Sequence, residues 1–212
     1  MSLVRDAFTV IKEHRRTFIV FNVVFYGLFV ATMIVTAAVY PEAQVSAVKG
    51  VQGDLNQPGL GSAVAAGYDS GNILWAAGVT LFVNFFIGAL LTTTLPSLII
   101  PFFGIAFTVY RVTQWGILFV PLDGNYAAFI PHLVTLIVEG QAYLIAAFAV
   151  WIHGRKFLRP GRFSLPTRRA GYKAGLKDTL RLYPLVVMLL IIGAIYEAIE
   201  VIHLIPLFSE SA

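Results

Sequence analysis

The chain has 212 residues, of which 58% are hydrophobic and only 12% are charged, and it contains no cysteine. The absence of cysteine excludes disulfides, thiolate metal sites and cysteine nucleophiles. A formal net charge of +4 is found in many nucleic-acid-binding proteins, but here the basic residues flank long apolar stretches, where they set membrane topology. The composition therefore predicts an integral membrane protein and no nucleic-acid partner.

Five apolar stretches are each long enough to cross a membrane as a helix. A helix rises ~1.5 Å per residue, so roughly 20 apolar residues cross a hydrocarbon core of ~30 Å. In lipid each stretch must satisfy its own backbone hydrogen bonds, which favours helices. The predicted spans are residues 17–40, 72–91, 95–120, 130–153 and 182–207. The other segments are too short for a soluble domain, so residues 1–212 are predicted to form one all-α membrane domain, a bundle of five transmembrane helices.

The positions of the basic residues predict the orientation of this bundle. Four precede the first span, and nine lie between the fourth and fifth spans, in the segment 154–181. With five crossings both groups lie on one side, so 13 of the 15 basic residues are cytoplasmic by the positive-inside rule. The loop 41–71 then lies outside. A multi-pass protein of the cell membrane is predicted, with its N-terminus cytoplasmic and its C-terminus outside.

Three connections carry local signals. The outer loop 41–71 has little apolar periodicity and is predicted either to hold a short surface helix or to be irregular. Spans two and three meet at the uncharged segment 92–96, which predicts a tight hairpin or a corner held within the membrane. Pro101 and Gly104 favour a kink or break early in span three. The sequence Asp123-Gly124-Asn125 predicts a turn on the outer side.

The segment 154–181 contains an amphipathic pattern. Basic residues recur every four positions and form one stripe on a helix, next to an apolar stripe of Tyr172, Leu176, Leu180 and Tyr183. The stripe consists of Arg169, Lys173, Lys177 and Arg181, and Arg168 directly precedes it as a further candidate for binding lipid or a partner. This pattern predicts an interfacial helix on the cytoplasmic side, with its cations over the anionic lipids of the inner leaflet. A basic loop that only enforces topology and a docking surface for an acidic partner are the alternatives.

Ionisable residues inside the spans are functional candidates, because each costs ~2.5–3.5 kcal/mol to insert. They are Arg111, Glu139, Glu197 and Glu200. The span boundaries place the first three at nearly one depth, and spans three and four must be antiparallel neighbours. An ion pair between Arg111 and Glu139 is therefore predicted, with Glu197 as a second acceptor or a neutral acid. The residues that complete this predicted network are Asn84, Gln114, Gln141 and Tyr196. Such a network either locks helix packing or binds and moves a ligand.

A metal site is a further alternative. The spacing of Glu200 and His203 places both on one helix face, as in di-iron bundles. His132 and Glu139 also share a face, so these four residues are low-ranking metal candidates. The full di-iron pattern needs a second such motif, which the chain lacks. No cofactor and no catalytic residue is therefore predicted.

Three stretches carry a family resemblance. The first is Leu81–Leu90, an apolar run that contains Asn84. The second is Ile130-Pro131-His132, followed by Glu139 and the small residues from Ala142 to Ala149. The third is the basic segment Thr167–Arg181 with the apolar run Ile191–Ile199, which contains Glu197. With these features the chain resembles the stage II sporulation protein M family of multi-pass membrane proteins.

The resemblance implies an integral membrane protein without catalytic activity. The family's namesake works with peptidoglycan-remodelling proteins during engulfment in spore formers. Glu139 and Glu197 correspond to the intramembrane glutamates of the family. The chain departs from the pattern after His132, where Leu133 replaces a glycine and the glutamate comes later.

These observations predict a function. The first expectation is a membrane scaffold or a subunit of a membrane protein complex, which meets other membrane proteins or further copies of itself. The second is a permease for an ion or small molecule that uses Arg111, Glu139 and Glu197. The third is a metal-dependent membrane enzyme. A permease requires a water-accessible cavity that reaches the buried charges, and this requirement distinguishes it from a scaffold.

Overall fold

The structure is a computed structural model that describes residues 2–122 and 126–210. The turn predicted at residues 123–125 lies outside the described residues. Every element in the described part is helical. Four helices are long and apolar enough to cross a membrane: Arg15–Val39, Ile73–Ile99, Phe129–Leu158 and Arg168–Leu207. They are compatible with the multi-pass membrane protein that the sequence predicts, whereas a bundle of five such spans is not confirmed.

The chain begins with two helices separated by one residue. Helix α1 (Ser2–Glu13) and helix α2 (Arg15–Val39) meet at His14. Helix α1 is not among the helices predicted from the sequence. Its Ala7 and Val10 are almost completely buried in the same apolar cluster as Leu182 and Val186, so α1 belongs to the packed structure.

The predicted outer loop is helical as well. It contains α3 (Pro41–Asn56) and α4 (Leu60–Asp69). Pro41 begins α3, at a position where the missing backbone N–H removes no helical hydrogen bond. Ser62 and Gly59 form the hydrogen bonds that start α4, with the Gly59 amide donating to the Ser62 hydroxyl at 3.0 Å.

The second spanning helix extends further than the sequence suggests. It comprises α5 (Ile73–Phe82), a π-helix (Val83–Thr94) and α6 (Leu95–Ile99) without interruption. The predicted connection at 92–96 therefore lies inside a helix. The chain reverses at 100–102 instead, where Pro101 lacks an amide hydrogen and Phe102 has a left-handed φ of 72°.

The reversal leaves α7 (Phe103–Leu118) with only 16 residues, or about 24 Å at the helical rise. Its start is held close to the π-helix, because a Cβ at Gly104 would collide with the Thr93 carbonyl. The Ser97 hydroxyl accepts from the Gly104 amide at 2.7 Å and donates to the Thr93 carbonyl at 2.7 Å. The predicted break in span three is therefore present, and it moves residues 95–99 to the preceding helix.

Two long antiparallel helices form the centre of the fold. Helix α8 (Tyr126–Leu158) pairs with α9 (Arg168–Ile199), which continues as a π-helix (Glu200–Leu204) and as α10 (Ile205–Glu210). In the most apolar part of α8, 72% of the residues are buried, whereas in the corresponding part of α2 only 11% are buried. The core therefore lies around α8, and most of the α2 surface is exposed.

The basic segment is part of α9. Thr167 caps the helix by accepting from the Ala170 amide at 3.2 Å, and the helix then runs without a break through Arg181 into the last span. Gly175 touches the His153 backbone, since a Cβ there would lie 2.7 Å from the His153 Cα. One face of the basic segment thus packs on α8, and a separate interfacial helix is not confirmed.

Candidate functional site

Polar side chains from five elements meet between α8 and its neighbours. The first π-helix (Val83–Thr94) contributes Asn84 and Thr92, α7 contributes Arg111, the end of α9 contributes Glu197, and the second π-helix (Glu200–Leu204) contributes Glu200. Helix α8 contributes His132, Thr135, Glu139 and Tyr143. We call this set the polar column, because its members follow one another along α8 instead of lying at one level.

Glu139 is 5% exposed and is bound by an amide from the π-helix. The Asn84 side chain donates to the Glu139 Oε1 at 2.7 Å. The Tyr143 hydroxyl donates in turn to the Asn84 Oδ1 at 3.0 Å. The π-helix widens the backbone at Asn84, and π-helical turns occur frequently at functional sites. This chain of hydrogen bonds connects a buried carboxylate to the next turn of α8.

Arg111 joins the column by stacking and not by an ion pair. Its guanidinium carbon lies 3.9 Å from the centre of the Tyr143 ring, and its Nη2 donates to the Thr92 hydroxyl at 3.1 Å. The predicted ion pair with Glu139 does not form within the described residues. A cation over an aromatic face away from water gains about 2 kcal/mol. The Arg111 Nη1 is buried without a hydrogen-bond partner.

Glu200 is the most completely buried acid of the column, with 0% exposure. The His132 Nδ1 lies 2.7 Å from its Oε1, and the Thr135 hydroxyl donates to its Oε2 at 2.6 Å. Both carboxylate oxygens therefore have a partner on α8. This arrangement fits a structural tie between α8 and the end of α9, since a buried charge is tolerated when it is paired and hydrogen-bonded.

Glu197 and Glu139 line one cavity of about 190 Å³. Its wall also contains Asn84, His132 and Thr135. A larger cavity of about 470 Å³, lined by Gln44 of α3 and Val120, shares Phe119 and His132 with the smaller one. We call the smaller cavity the inner chamber and the larger one the vestibule. The two cavities are therefore neighbours, and the rings of Phe119 and His132, with centres 4.4 Å apart, stand between them.

Tyr68 of α4 is bonded to the wall of the inner chamber. Its hydroxyl lies 2.8 Å from the Thr80 hydroxyl, and Thr80 is itself part of the chamber wall. Burial, followed by the negative charge of Glu197, raises the pKa of Tyr68. Tyr68 therefore keeps its proton and can act as a hydrogen-bond donor to an acid or to a ligand.

The sequence predicts that Arg111, Glu139 and Glu197 lie at nearly one depth. In the structure they lie at different levels along the helix axis. Glu139 packs against Gly193, and Glu197 follows four residues later in α9, about 6 Å further along at the helical rise. Arg111 lies beside Tyr143, one turn from Glu139 in the opposite direction.

Three of the predicted residues form no hydrogen bond with the polar column, among them Tyr196, whose hydroxyl donates to the Pro131 carbonyl at 3.2 Å. Gln141 accepts a hydrogen bond of 3.2 Å from the Tyr26 hydroxyl, so it joins α8 to α2. Gln114 makes no side-chain hydrogen bond in the described part of the chain. Of the four metal candidates, only His132 and Glu200 come together, and no group of three potential ligands occurs among the residues described.

At the N-terminal end of α9, opposite to Glu197, the basic residues form two groups. Arg168, Arg169, Lys173 and Lys177 are exposed and form no ion pair with a described carboxylate. Arg181 is half-buried, and its Nη1 lies 3.4 Å from Asp178. Asp178 also pairs with Lys156. We call this end of the molecule the basic end and the four exposed residues the basic stripe.

Several contributors to these sites were not predicted from the sequence. Tyr143, Thr135 and Thr92 are uncharged and resemble ordinary core or helix residues, so no pattern distinguishes them. Asp178 is the only acid among nine basic residues in the segment 154–181, which is a signal that could have indicated its pairing.

Comparison of the chain with family models, with curated proteins and with solved structures finds no match. The resemblance to the stage II sporulation protein M family therefore stays a prediction from the sequence.

Proposed function

We propose that this chain is a membrane scaffold, a subunit of a membrane protein complex without catalytic activity of its own. The basic stripe is the observation that supports this function best. It lies on a helix that is held against α8 on its other face by Gly171 and Gly175. The exposed cations are therefore presented on a rigid hairpin and lack neutralising partners within the described chain. An acidic surface on another membrane protein would supply the missing charge.

The topology is part of this proposal. Phe102, which precedes α7, packs on Gly154, and Phe119, which follows α7, packs on His132 with ring centres 4.4 Å apart. These contacts support α7 as a fifth crossing, because its two ends meet opposite ends of α8. The basic end is then cytoplasmic by the positive-inside rule, in a cell membrane whose anionic inner leaflet lies beside the stripe.

Co-purification tests the scaffold function. The tagged chain is extracted from its native membrane in mild detergent, and proteins present in stoichiometric amount are identified by mass spectrometry. Reversal of Arg169, Lys173 and Lys177 to Glu is expected to remove the partner, because a like-charge contact replaces an attractive one. Self-association of the chain, seen as a homo-oligomer without another protein, is the other assembly that this measurement detects.

A matched control separates docking from total charge. Lys12, Arg15 and Arg16 are exposed and carry the same charge at the same end of the molecule. Their reversal to Glu is expected to retain the partner. If both triple variants lost the partner protein equally, the stripe would have a role in topology alone. If the stripe variant still co-purified with the partner in the native amount, the proposal would be contradicted.

A permease is the second candidate function, and the inner chamber favours it. The chamber is lined by Glu139 and Glu197 and adjoins the vestibule at Phe119 and His132, and movement of these two rings would open the access that a transport site requires. Acids inside a membrane are typical of proton and cation pathways. We propose protons or a small monovalent cation as the ligand for this function. A metal-dependent enzyme is supported less, since only His132 and Glu200 of its four candidates meet.

Vesicles that contain the purified chain and a trapped dye, sensitive to pH in one set and to K⁺ in a second, test the permease. A proton or K⁺ gradient is expected to produce flux with the native chain. Glu197→Gln and Arg111→Gln are expected to abolish this flux while leaving the fold intact. Glu42→Gln is the control, because Glu42 is exposed at the start of α3. Absence of flux in the native chain with both ions would leave the scaffold as the function.

A further inference from the structure

An apolar groove lies between α2 and α7, with α8 as its floor. Its walls come from Val20, Val24 and Leu28 of α2 and Val109 of α7, and its floor from Leu144 and Trp151 of α8. The cavity has a volume of about 270 Å³. Val20 and Val24 are each 56% exposed, so the groove opens sideways, toward the region that hydrocarbon occupies around a membrane-spanning helix.

The groove continues toward the basic end and becomes cationic there. A second cavity of about 320 Å³ shares Ile105 and Trp151 with the first and adds Arg155 and Arg159. The Arg155 guanidinium lies 5.0 Å from the centre of the Trp151 ring, and its Nε is buried without a hydrogen-bond partner. Neither arginine forms an ion pair within the described residues. An apolar channel therefore ends at two cations that the protein does not neutralise.

From this juxtaposition we propose that the groove binds one anionic phospholipid. Leu144 and Arg159 are separated by 15 positions in the sequence, or about 22 Å at the helical rise. One leaflet provides about half of the ~30 Å core and then its headgroup layer. An acyl chain that follows the groove along α8 thus places its phosphate beside Arg155 and Arg159.

The chemistry of the two arginines determines which lipid is preferred. A guanidinium donates two parallel hydrogen bonds to phosphate oxygens, and basic pockets between transmembrane helices are typical lipid-headgroup sites. A zwitterionic lipid carries its own cation, which opposes the arginines. The site therefore selects a headgroup with net negative charge. It uses residues different from the basic stripe, so it does not depend on the scaffold function or on the permease.

Fluorescence quenching by lipids with brominated acyl chains tests this site. The purified full-length chain in detergent is titrated with brominated phosphatidylglycerol or brominated phosphatidylcholine. Trp151 lines the groove, so bromine in the groove quenches its emission by contact. Phosphatidylglycerol is expected to quench at roughly 10- to 30-fold lower concentration than phosphatidylcholine, given two basic residues at the headgroup. Trp151→Phe is expected to lose this component of the quenching.

Paired variants decide whether the arginines cause the preference. Arg155→Gln with Arg159→Gln is expected to equalise the two lipids, whereas Arg155→Lys with Arg159→Lys retains a preference because the charge remains. Lys173→Gln with Lys177→Gln is the control, since it removes the same charge outside the groove. Equal quenching of the native chain by both lipids would overturn the proposal. An identical lipid preference in the Gln pair and the control pair would overturn it as well.

Discussion

Glu139 packs directly against Gly193 across the contact between α8 and α9. A Cβ at residue 193 would lie 2.6 Å from the Glu139 Cγ and 3.3 Å from its Oε1. Space for the buried Glu139 carboxylate is therefore created by a missing side chain on the neighbouring helix. The same contact holds Glu139 where the Asn84 amide can bind it, so the packing of two helices and the position of a charge are linked.

Gly193→Ala is expected to destabilise the protein by about 1–3 kcal/mol, the usual cost of overpacking a filled site. The added methyl group must displace the Glu139 side chain, since the α9 backbone cannot move away without separating from α8. Thermal unfolding in detergent measures the effect. Gly78→Ala is the matched control, because its Cβ would meet nothing within 4 Å. Equal melting temperatures for the two variants would contradict the close contact.

Asp178→Leu is expected to cost about 3–5 kcal/mol, because it leaves the Lys156 ammonium without its partner in a buried position. Asp178 is 4% exposed and pairs with Lys156 and Arg181. The double change Lys156→Met with Asp178→Leu is expected to recover much of the loss, since no buried charge then lacks a partner. Denaturation of all variants in detergent measures this.

Asp54→Leu provides the comparison for that series. Asp54 is exposed on α3, and surface substitutions of this kind usually change stability by less than about 0.5 kcal/mol. If Asp178→Leu behaved like Asp54→Leu, the paired charges at the basic end would contribute nothing to the fold.

Acidification is expected to weaken the junction of α1 and α2. Burial, followed by the nearby Lys156, lowers the pKa of His14 below its ordinary value of 6.5, and Asp178 and Glu13 oppose this shift. The unfolded chain then binds a proton at His14 more readily than the folded chain. Stability from this group is therefore complete above pH 6.5 and decreases as the pH falls below it.

Melting temperatures between about pH 8 and pH 5, the range in which histidine titrates, measure this dependence. His14→Phe is expected to reduce it, because a phenyl ring keeps the edge contacts with Phe148 and Trp151 and does not titrate. His203→Gln serves as the control, since His203 is exposed. A pH dependence unchanged by His14→Phe would assign it to other groups.

Single cysteine substitutions test the topology. The native chain contains no cysteine, so any labelling comes from the introduced residue. With five crossings, Lys12→Cys and Leu207→Cys are expected to react with a membrane-impermeant maleimide from opposite sides. With four crossings they would react from the same side. Lys173→Cys should react from the same side as Lys12→Cys with five crossings and from the opposite side with four. Lys49→Cys should react with the maleimide from the side opposite to Lys12→Cys, since one span separates these two positions.

Much of the architecture follows from local features of the sequence. Long apolar stretches predict helices at membrane-spanning length because a backbone in lipid must bond within its own segment. Pro101 predicted the break before α7 for a similarly local reason, the missing amide hydrogen. The exact end of the preceding helix was not predictable, because the residues before and after the predicted turn at 92–96 are similarly apolar.

The sequence by itself determined that the chain is helical, that it suits a membrane, that the basic residues gather at one end, and that Arg111, Glu139, Glu197 and Glu200 are costly to bury. Only the tertiary structure decided their partners. Arg111 stacks on Tyr143 and Glu139 binds Asn84 because the register between helices and the widened π-helix place those groups within reach. Segment length and charge depend on neighbouring residues in the chain, whereas contact between helices depends on their tilt, rotation and close approach at glycines.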